Sequence, residues 1–426
     1  MTTNTLPVPR RSYPLLLAGQ FLSAFGDNAI LVVILGPLTL SFNRGELAEE
    51  ALRSANTLYT VLLFIPCVLF APLAGFLNDR FAKSRCLVGG NAAKLAGALV
   101  CALSLVAGDG VLGAGYFIVG IGVCVYGPAK YGILPEVLPR ERLVSANGTV
   151  EMLTLVAILA GAIGGGLLVD KCAGKPGIAY AIVVAVYAAA LGSNALMART
   201  PSDARARFSQ NASAFALHAR DLMRSPRVGR MLLGTALFWI VGAAMKAHFQ
   251  PWGVGVLKLE NNTEIGLLLL TLSLGVMGGS VLSGRLHKVG DLRRVPLYGF
   301  ALAGIFVLAW SAGASALETF WLGTRITVCG QTVIVPVALL VALAGVFAGL
   351  FLIPINAALQ AETDPAKMGK TIAVQNLFDN LGMCLALVYL YLGNLLGISL
   401  SGIFLGLAIG TTAVTAAMLL GRKARA

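Results

Sequence analysis

Apolar runs long enough to cross a bilayer recur along the whole chain, and they leave few folds open to it. A helix needs about twenty apolar residues to span the hydrocarbon core. Such runs lie at about 13–42, 54–78, 86–107, 111–134, 144–169 and 177–198, and again at about 231–256, 264–284, 295–313, 333–359, 370–393 and 397–420. In lipid every backbone amide and carbonyl must be bonded within the protein, so runs of this length fold as helices. Hydrophobic residues make up 57% of the 426 and charged residues only 12%, a balance that a soluble core and surface do not need. The pattern specifies an all-α polytopic membrane protein of twelve spans. Its 50 glycines suit helices that pack closely in lipid.

The net charge of +13 raises nucleic acid as a partner, and the distribution of the charge argues against it. With the N-terminus in the cytoplasm, the outer loops hold only Arg44, Arg53, Lys171, Lys175, Lys258 and Arg325. The remaining loop cations, from Arg10 and Arg11 through the stretch Arg199 to Arg230 and on to Arg425, fall on the inner side. This is the positive-inside pattern, and it puts both termini in the cytoplasm. No small-residue cleavage site follows the first run, which is expected to stay as a span. The 7 cysteines have no C-x-x-C spacing, so neither a metal site nor a disulfide framework is expected. Cys172 and Cys329 are the only pair on the outer side, and nothing in the sequence supports a bond between them.

The polar stretch 199–230 divides the chain into a first half, 1–198, and a second, 231–426. It is expected to be a cytoplasmic linker carrying a surface amphipathic helix around Ser213–Met223. The halves echo each other. Tyr126-Gly-Pro128-Ala-Lys130 has a counterpart in Phe351-Leu-Ile-Pro354-Ile-Asn356, and Asn147-Gly-Thr-Val-Glu151 in Gln375-Asn-Leu-Phe-Asp379. Two parallel halves are the layout of the major facilitator fold, with substrate held near the midplane. One chain of twelve spans is enough to build a cavity, so a monomer is expected.

Within the first run, Asp27 in Gln20-Phe-Leu-Ser-Ala-Phe-Gly-Asp27-Asn28-Ala is the only ionisable acid or base before Arg44. An acid at that depth costs about 2.5–3.5 kcal/mol on insertion, so it pins one helix to another or meets something that crosses the membrane. Asn28 adds a second polar group. Lys246 lies in the seventh run, the counterpart of the first, within about one helical turn of the level of Asp27. Glu151 and Asp379 occupy the paired fifth and eleventh runs, with Gln375 one turn before Asp379. Lys130 follows Pro128, where the fourth helix is expected to bend. These groups are expected to supply the partners of Asp27, leaving Lys94 as a further cation in a span. Separate acidic and basic poles suit a zwitterion.

A different charge cluster follows the second run. Gly75-Phe-Leu-Asn-Asp79-Arg80-Phe-Ala-Lys83-Ser-Arg85 resembles the major facilitator loop signature Gly-x-x-x-Asp-Arg-x-Gly-Arg-Lys, with Ala82 at the inner glycine. The resemblance assigns Asp79, Arg80, Lys83 and Arg85 to a gate. Enzyme readings find no support. The 3 histidines are scattered, no His-x-x-x-x-Asp occurs, and no P-loop, dinucleotide fingerprint or zinc spacing appears. No cofactor is expected.

Taken together, Ala18-Gly-Gln20 through Asp27-Asn28, Pro128-Ala-Lys130-Tyr-Gly, Ser145-Ala-Asn147-Gly, Leu237-Phe-Trp239, Pro354-Ile-Asn356-Ala-Ala-Leu-Gln360 and Ile372-Ala-Val-Gln375-Asn376 resemble the bacterial lysophospholipid transporter branch of that superfamily. The resemblance implies flipping of lysophosphatidylethanolamine and lysophosphatidylglycerol from the outer to the inner leaflet of the bacterial inner membrane. It implies as partner a cytoplasmic-side acyltransferase/acyl-carrier-protein synthetase, expected here as a separate chain because the sequence ends at Ala426. Asp27 matches the acid of the first span, while Lys246 and Asp379 stand where relatives can have Arg and Glu. Lys meets phosphate as a point charge and Arg bidentately, which bears on headgroup preference. The competing expectation is a proton-coupled exporter of amphiphilic molecules in which Asp27 or Asp379 titrates.

Overall fold

A computed structural model describes residues 11–172, 174–200, 211–259, 262–313, 317–328 and 331–423. Arg10, the first ten residues of the linker beyond Thr200, Cys329 and Arg425 lie outside the described residues. The helices follow the apolar runs closely. In chain order they are α1 (Ser12–Asn43), α2 (Glu49–Leu69), α3 (Ala71–Arg80), α4 (Lys83–Ala107), α5 (Leu112–Gly132), the single turn α6 (Leu134–Val137), α7 (Leu143–Lys171) and α8 (Pro176–Ala195). The linker supplies α9 (Asn211–Arg224), over the stretch expected to be amphipathic. Then come α10 (Pro226–Gly255), α11 (Asn262–Leu286), α12 (Val295–Ser311), α13 (Glu318–Leu322), β1 (Arg325–Val328), β2 (Gln331–Ile334), α14 (Val335–Glu362), α15 (Met368–Leu395) and α16 (Gly402–Lys423).

Among the described residues, 10 helices are long and apolar enough to cross a membrane, and α2 with α3 makes an eleventh span bent by 58°. The remaining run is the shorter α12, of 17 residues. The break between α2 and α3 falls at Phe70, just before Pro72, whose missing N–H suits the first turn of a new helix. Pro128 behaves differently: α5 runs through it to Gly132. Before α14, β1 and β2 pair antiparallel, with Arg325 opposite Ile334 and Val328 opposite Gln331.

The chain forms two compact units, interleaved in sequence. One comprises Met1–Pro139, Leu153–Ala219 and Thr363–Leu377; the other comprises Arg140–Met152, Arg220–Glu362 and Phe378–Ala426. In the first unit Ile30, Val33, Tyr116, Val183 and Tyr187 form the buried core of α1, α5 and α8. A Cβ on Gly97 would lie 2.6 Å from the Gly115 carbonyl oxygen, so α4 and α5 touch backbone to backbone. In the second unit a Cβ on Gly349 would lie 2.6 Å from the Val276 carbonyl oxygen, and α14 and α11 are in the same kind of contact. An aromatic cluster completes that core, with Trp252 and Phe404 edge to face at 4.8 Å.

Candidate functional site

Asp27 sits midway along α1 in the first unit, and both of its oxygens are engaged. Lys94 Nζ donates to Oδ2 at 2.6 Å and the Tyr187 hydroxyl donates to Oδ1 at 2.9 Å. Lys94 also donates to Ser23 Oγ at 2.8 Å, and its ammonium lies 4.9 Å from the centre of the Tyr126 ring. The chain of bonds continues from Ser23 Oγ to Asn91 Oδ1 at 2.7 Å and from Asn91 Nδ2 to Asn194 Oδ1 at 2.8 Å. Local sequence makes this possible. Ser23 and Asp27 are one turn apart on α1, as are Asn91 and Lys94 on α4. A Cβ on Gly26 would lie 2.8 Å from Tyr187 Cε1, so the missing side chain lets the ring close on α1.

The partners expected for Asp27 are therefore corrected. Among the described residues they are Lys94 and Tyr187, brought to the carboxylate by α4 and α8. Lys246, on α10 in the second unit, is exposed and makes no hydrogen bond or ion pair among the described residues. Asn28 turns back on its own helix, its Nδ2 donating to the Ala24 carbonyl at 2.8 Å. Lys130 is half-buried, its ammonium 4.4 Å from the centre of the Tyr131 ring. Gln375 is buried in the first unit, and Glu151 and Asp379 are buried in the second. The signal for Lys94 was present: a lone base in an apolar run needs an acid, and Asp27 was the acid with no neighbour in sequence.

The residues assigned to a gate do not share one setting, and Arg80 is half-buried at the end of α3. Asp79 Oδ1 accepts from the backbone N–H of Lys370 at 3.1 Å, and Oδ2 lies 3.9 Å from Lys370 Nζ. The carboxylate thus caps the first turn of α15, where unpaired N–H groups and the helix dipole both favour an anion. Lys83 pairs instead with Glu136 on α6, and Arg85 is exposed. Burial pushes the Glu136 carboxyl up from its ordinary range, and the Lys83 ammonium beside it opposes that rise. The part of α9 up to Ala219 joins the same unit: Phe215 is buried, and the His218 ring is hydrogen-bonded to Thr371 Oγ1 at 2.9 Å.

The second unit holds the start of α7 by other means. Asn147 Nδ2 donates to Gln360 Oε1 at 2.7 Å, and Gln360 Nε2 donates back to Asn147 Oδ1 at 3.0 Å. Asn147 is 0% exposed and Gln360 2%. A Cβ on Gly148 would lie 2.5 Å from the Ser280 carbonyl oxygen, so α7 and α11 are also in backbone contact. Arg227 grips both carboxylate oxygens of Glu362, tying the start of α10 to the end of α14. His248 and His287 make structural bonds, to the Leu400 carbonyl and the Tyr298 hydroxyl respectively.

The family model of the Major Facilitator Superfamily matches residues 16–387. The lysophospholipid transporter LplT of Klebsiella pneumoniae is 33% identical over 416 residues, covering 96% of this chain and 95% of that one. Its counterpart in Cronobacter sakazakii is 33% identical over 376 residues, 87% of this chain and 86% of the relative. The chain belongs to the lysophospholipid transporter family of the major facilitator superfamily. Solved structures agree on the fold. The human organic anion transporter MFSD10 (TETRAN) superposes with a TM-score of 0.71 at 14% identity, over 96% of this chain and 98% of that one. The E. coli fucose:proton symporter FucP does so with 0.70 at 12%, over the same shares. This LplT-family chain is thus a multi-pass membrane transporter and not an enzyme. Several of its family-like motif residues are tertiary ties: Gln20 Nε2 donates to Thr154 Oγ1 at 2.9 Å, and Asn147 and Gln360 bond each other.

Proposed function

We propose that the protein moves lysophospholipids from the outer to the inner leaflet of the bacterial inner membrane by alternating access, with both termini in the cytoplasm. The observation that carries this is a relationship to LplT proteins over nearly the whole chain, together with a close acid–base pair inside a span. An ion pair at that depth is costly to keep, and transporters keep such groups where polar cargo passes. Asp27, with Asp379 or Glu151, is assigned to the ammonium or hydroxyl end of the headgroup. Lys246 and Lys130 are assigned to the phosphate, with Asn28 and Gln375 as polar contacts. The exposed ammonium of Lys246 is available for that role. The lysolipid would enter sideways, its single chain along an apolar wall. Asp79 with Arg80, Lys83 and Arg85 forms the gate, and 199–230 links the halves 1–198 and 231–426. The transporter works as a monomer and hands its cargo to a separate acyltransferase on the cytoplasmic side.

The test is uptake of labelled lysophosphatidylethanolamine by spheroplasts that lack their own transporter, with and without this protein and with an uncoupler. Uptake that requires the protein and survives the uncoupler is expected. Uncoupler-sensitive efflux of amphiphilic dyes, with no lysolipid uptake, would assign the protein to drug export instead. Asp27→Ala is expected to abolish uptake while the protein still inserts; undiminished uptake would remove Asp27 from the site.

A further inference from the structure

We propose that Lys94 is the hidden counter-ion that sets headgroup selectivity at Asp27. The inference rests on the transport reading above and adds a residue to it. The two side chains differ in access: Lys94 is 3% exposed and Asp27 16%. Lys94 is also committed. One N–H serves Asp27, another serves Ser23, and the cation lies over the Tyr126 ring, so the ammonium is held behind the carboxylate. A carboxylate has about four acceptor sites, and Lys94 and Tyr187 account for two of them. Asp27 therefore keeps capacity for about two more donors while Lys94 already balances its charge.

A donor that reaches the open side of Asp27 meets a pair with no net charge. An ethanolamine ammonium and a glycerol hydroxyl can both donate to the carboxylate, and the Coulomb advantage of the ammonium is largely cancelled by Lys94 a few ångströms behind. Lys94 thus flattens the preference between cationic and neutral headgroup ends, acting through Asp27 as a positioning residue without touching the substrate. Without it the carboxylate would stand uncompensated, and the ammonium would gain the extra strength of a bond between two charges.

The readout is the ratio of initial uptake rates for lysophosphatidylethanolamine and lysophosphatidylglycerol in wild type, Lys94→Met, Lys94→Gln and Lys94→Arg. The ratio is expected to rise on the order of ten-fold in the two neutral variants, since charge-assisted bonds are roughly twice as strong as neutral ones. It is expected to stay at the wild-type value in Lys94→Arg. A purely structural role would slow both lipids equally, and an unchanged ratio in the neutral variants overturns the inference. So does an arginine variant that behaves like methionine. Where a neutral variant takes up too little lipid to measure, the shift in Tm that each lysolipid gives the purified protein replaces the rate, and equal shifts overturn it. If wild type takes up neither lipid, the transport reading falls and this inference with it.

Discussion

Each compact unit takes in one short segment whose neighbours in sequence lie in the other unit, and the two segments are held by different chemistry. In the first unit the start of α15 is held by a carboxylate: Asp79 accepts from a backbone N–H and faces the Lys370 ammonium. In the second unit the start of α7 is held by two neutral amides that bond each other, Asn147 and Gln360. The carboxylate contact is graded, because dipole, backbone bond and ammonium each contribute and one can weaken without the others. The amide contact is concentrated in one pair, because both bonds join the same two side chains and losing Asn147 leaves the Gln360 amide buried without them.

The comparison breaks first at the amides. Asn147→Leu leaves the Gln360 amide buried without its partner, which costs about 1–3 kcal/mol. The Tm of the purified protein is expected to fall, and uptake to fall with it. Adding Gln360→Leu removes the stranded amide, so the double variant should recover much of the lost Tm; a double variant worse than the single would mean the amides serve something else. Asp79→Asn keeps an oxygen for the Lys370 N–H and removes the charge, at a cost of about 0.3–1 kcal/mol. That loss should shrink at high salt, whereas the Asn147→Leu loss should not respond to salt. Lys370→Gln is expected to have the smallest effect, below about 0.5 kcal/mol in Tm-derived stability, because its ammonium stands 3.9 Å away and the backbone bond survives.

Much of this molecule is written in its apolar pattern, because the length of a span and the need to bond every amide leave the backbone little choice. The kink at Phe70 was less legible. Pro66 and Pro72 flank it, yet Pro37, Pro128, Pro251 and Pro354 lie within continuous helices, so proline alone does not mark a break. The pairing of β1 with β2 had a signal in its β-branched residues, Ile326, Thr327, Val328, Thr332 and Val333, which was overshadowed by the neighbouring span. Asp27 was legible because it was alone. Lys94 was legible as a lone base that needs an acid, but its pairing with Asp27 was not, because the packing of α4 involves backbone contacts such as Gly97 against Gly115, which no periodicity in α4 encodes.

The closeness of Lys94 and Asp27 also limits what membrane voltage can do through these two side chains. A lone charge moved through the full field is worked on by about 2.3 kcal/mol for every 100 mV. The ammonium and carboxylate, 2.6 Å apart, are pushed in opposite directions by the same field, so their net work is that of a small dipole. α1 and α4 can then shift together in an energised membrane without the resting potential favouring either position through this pair.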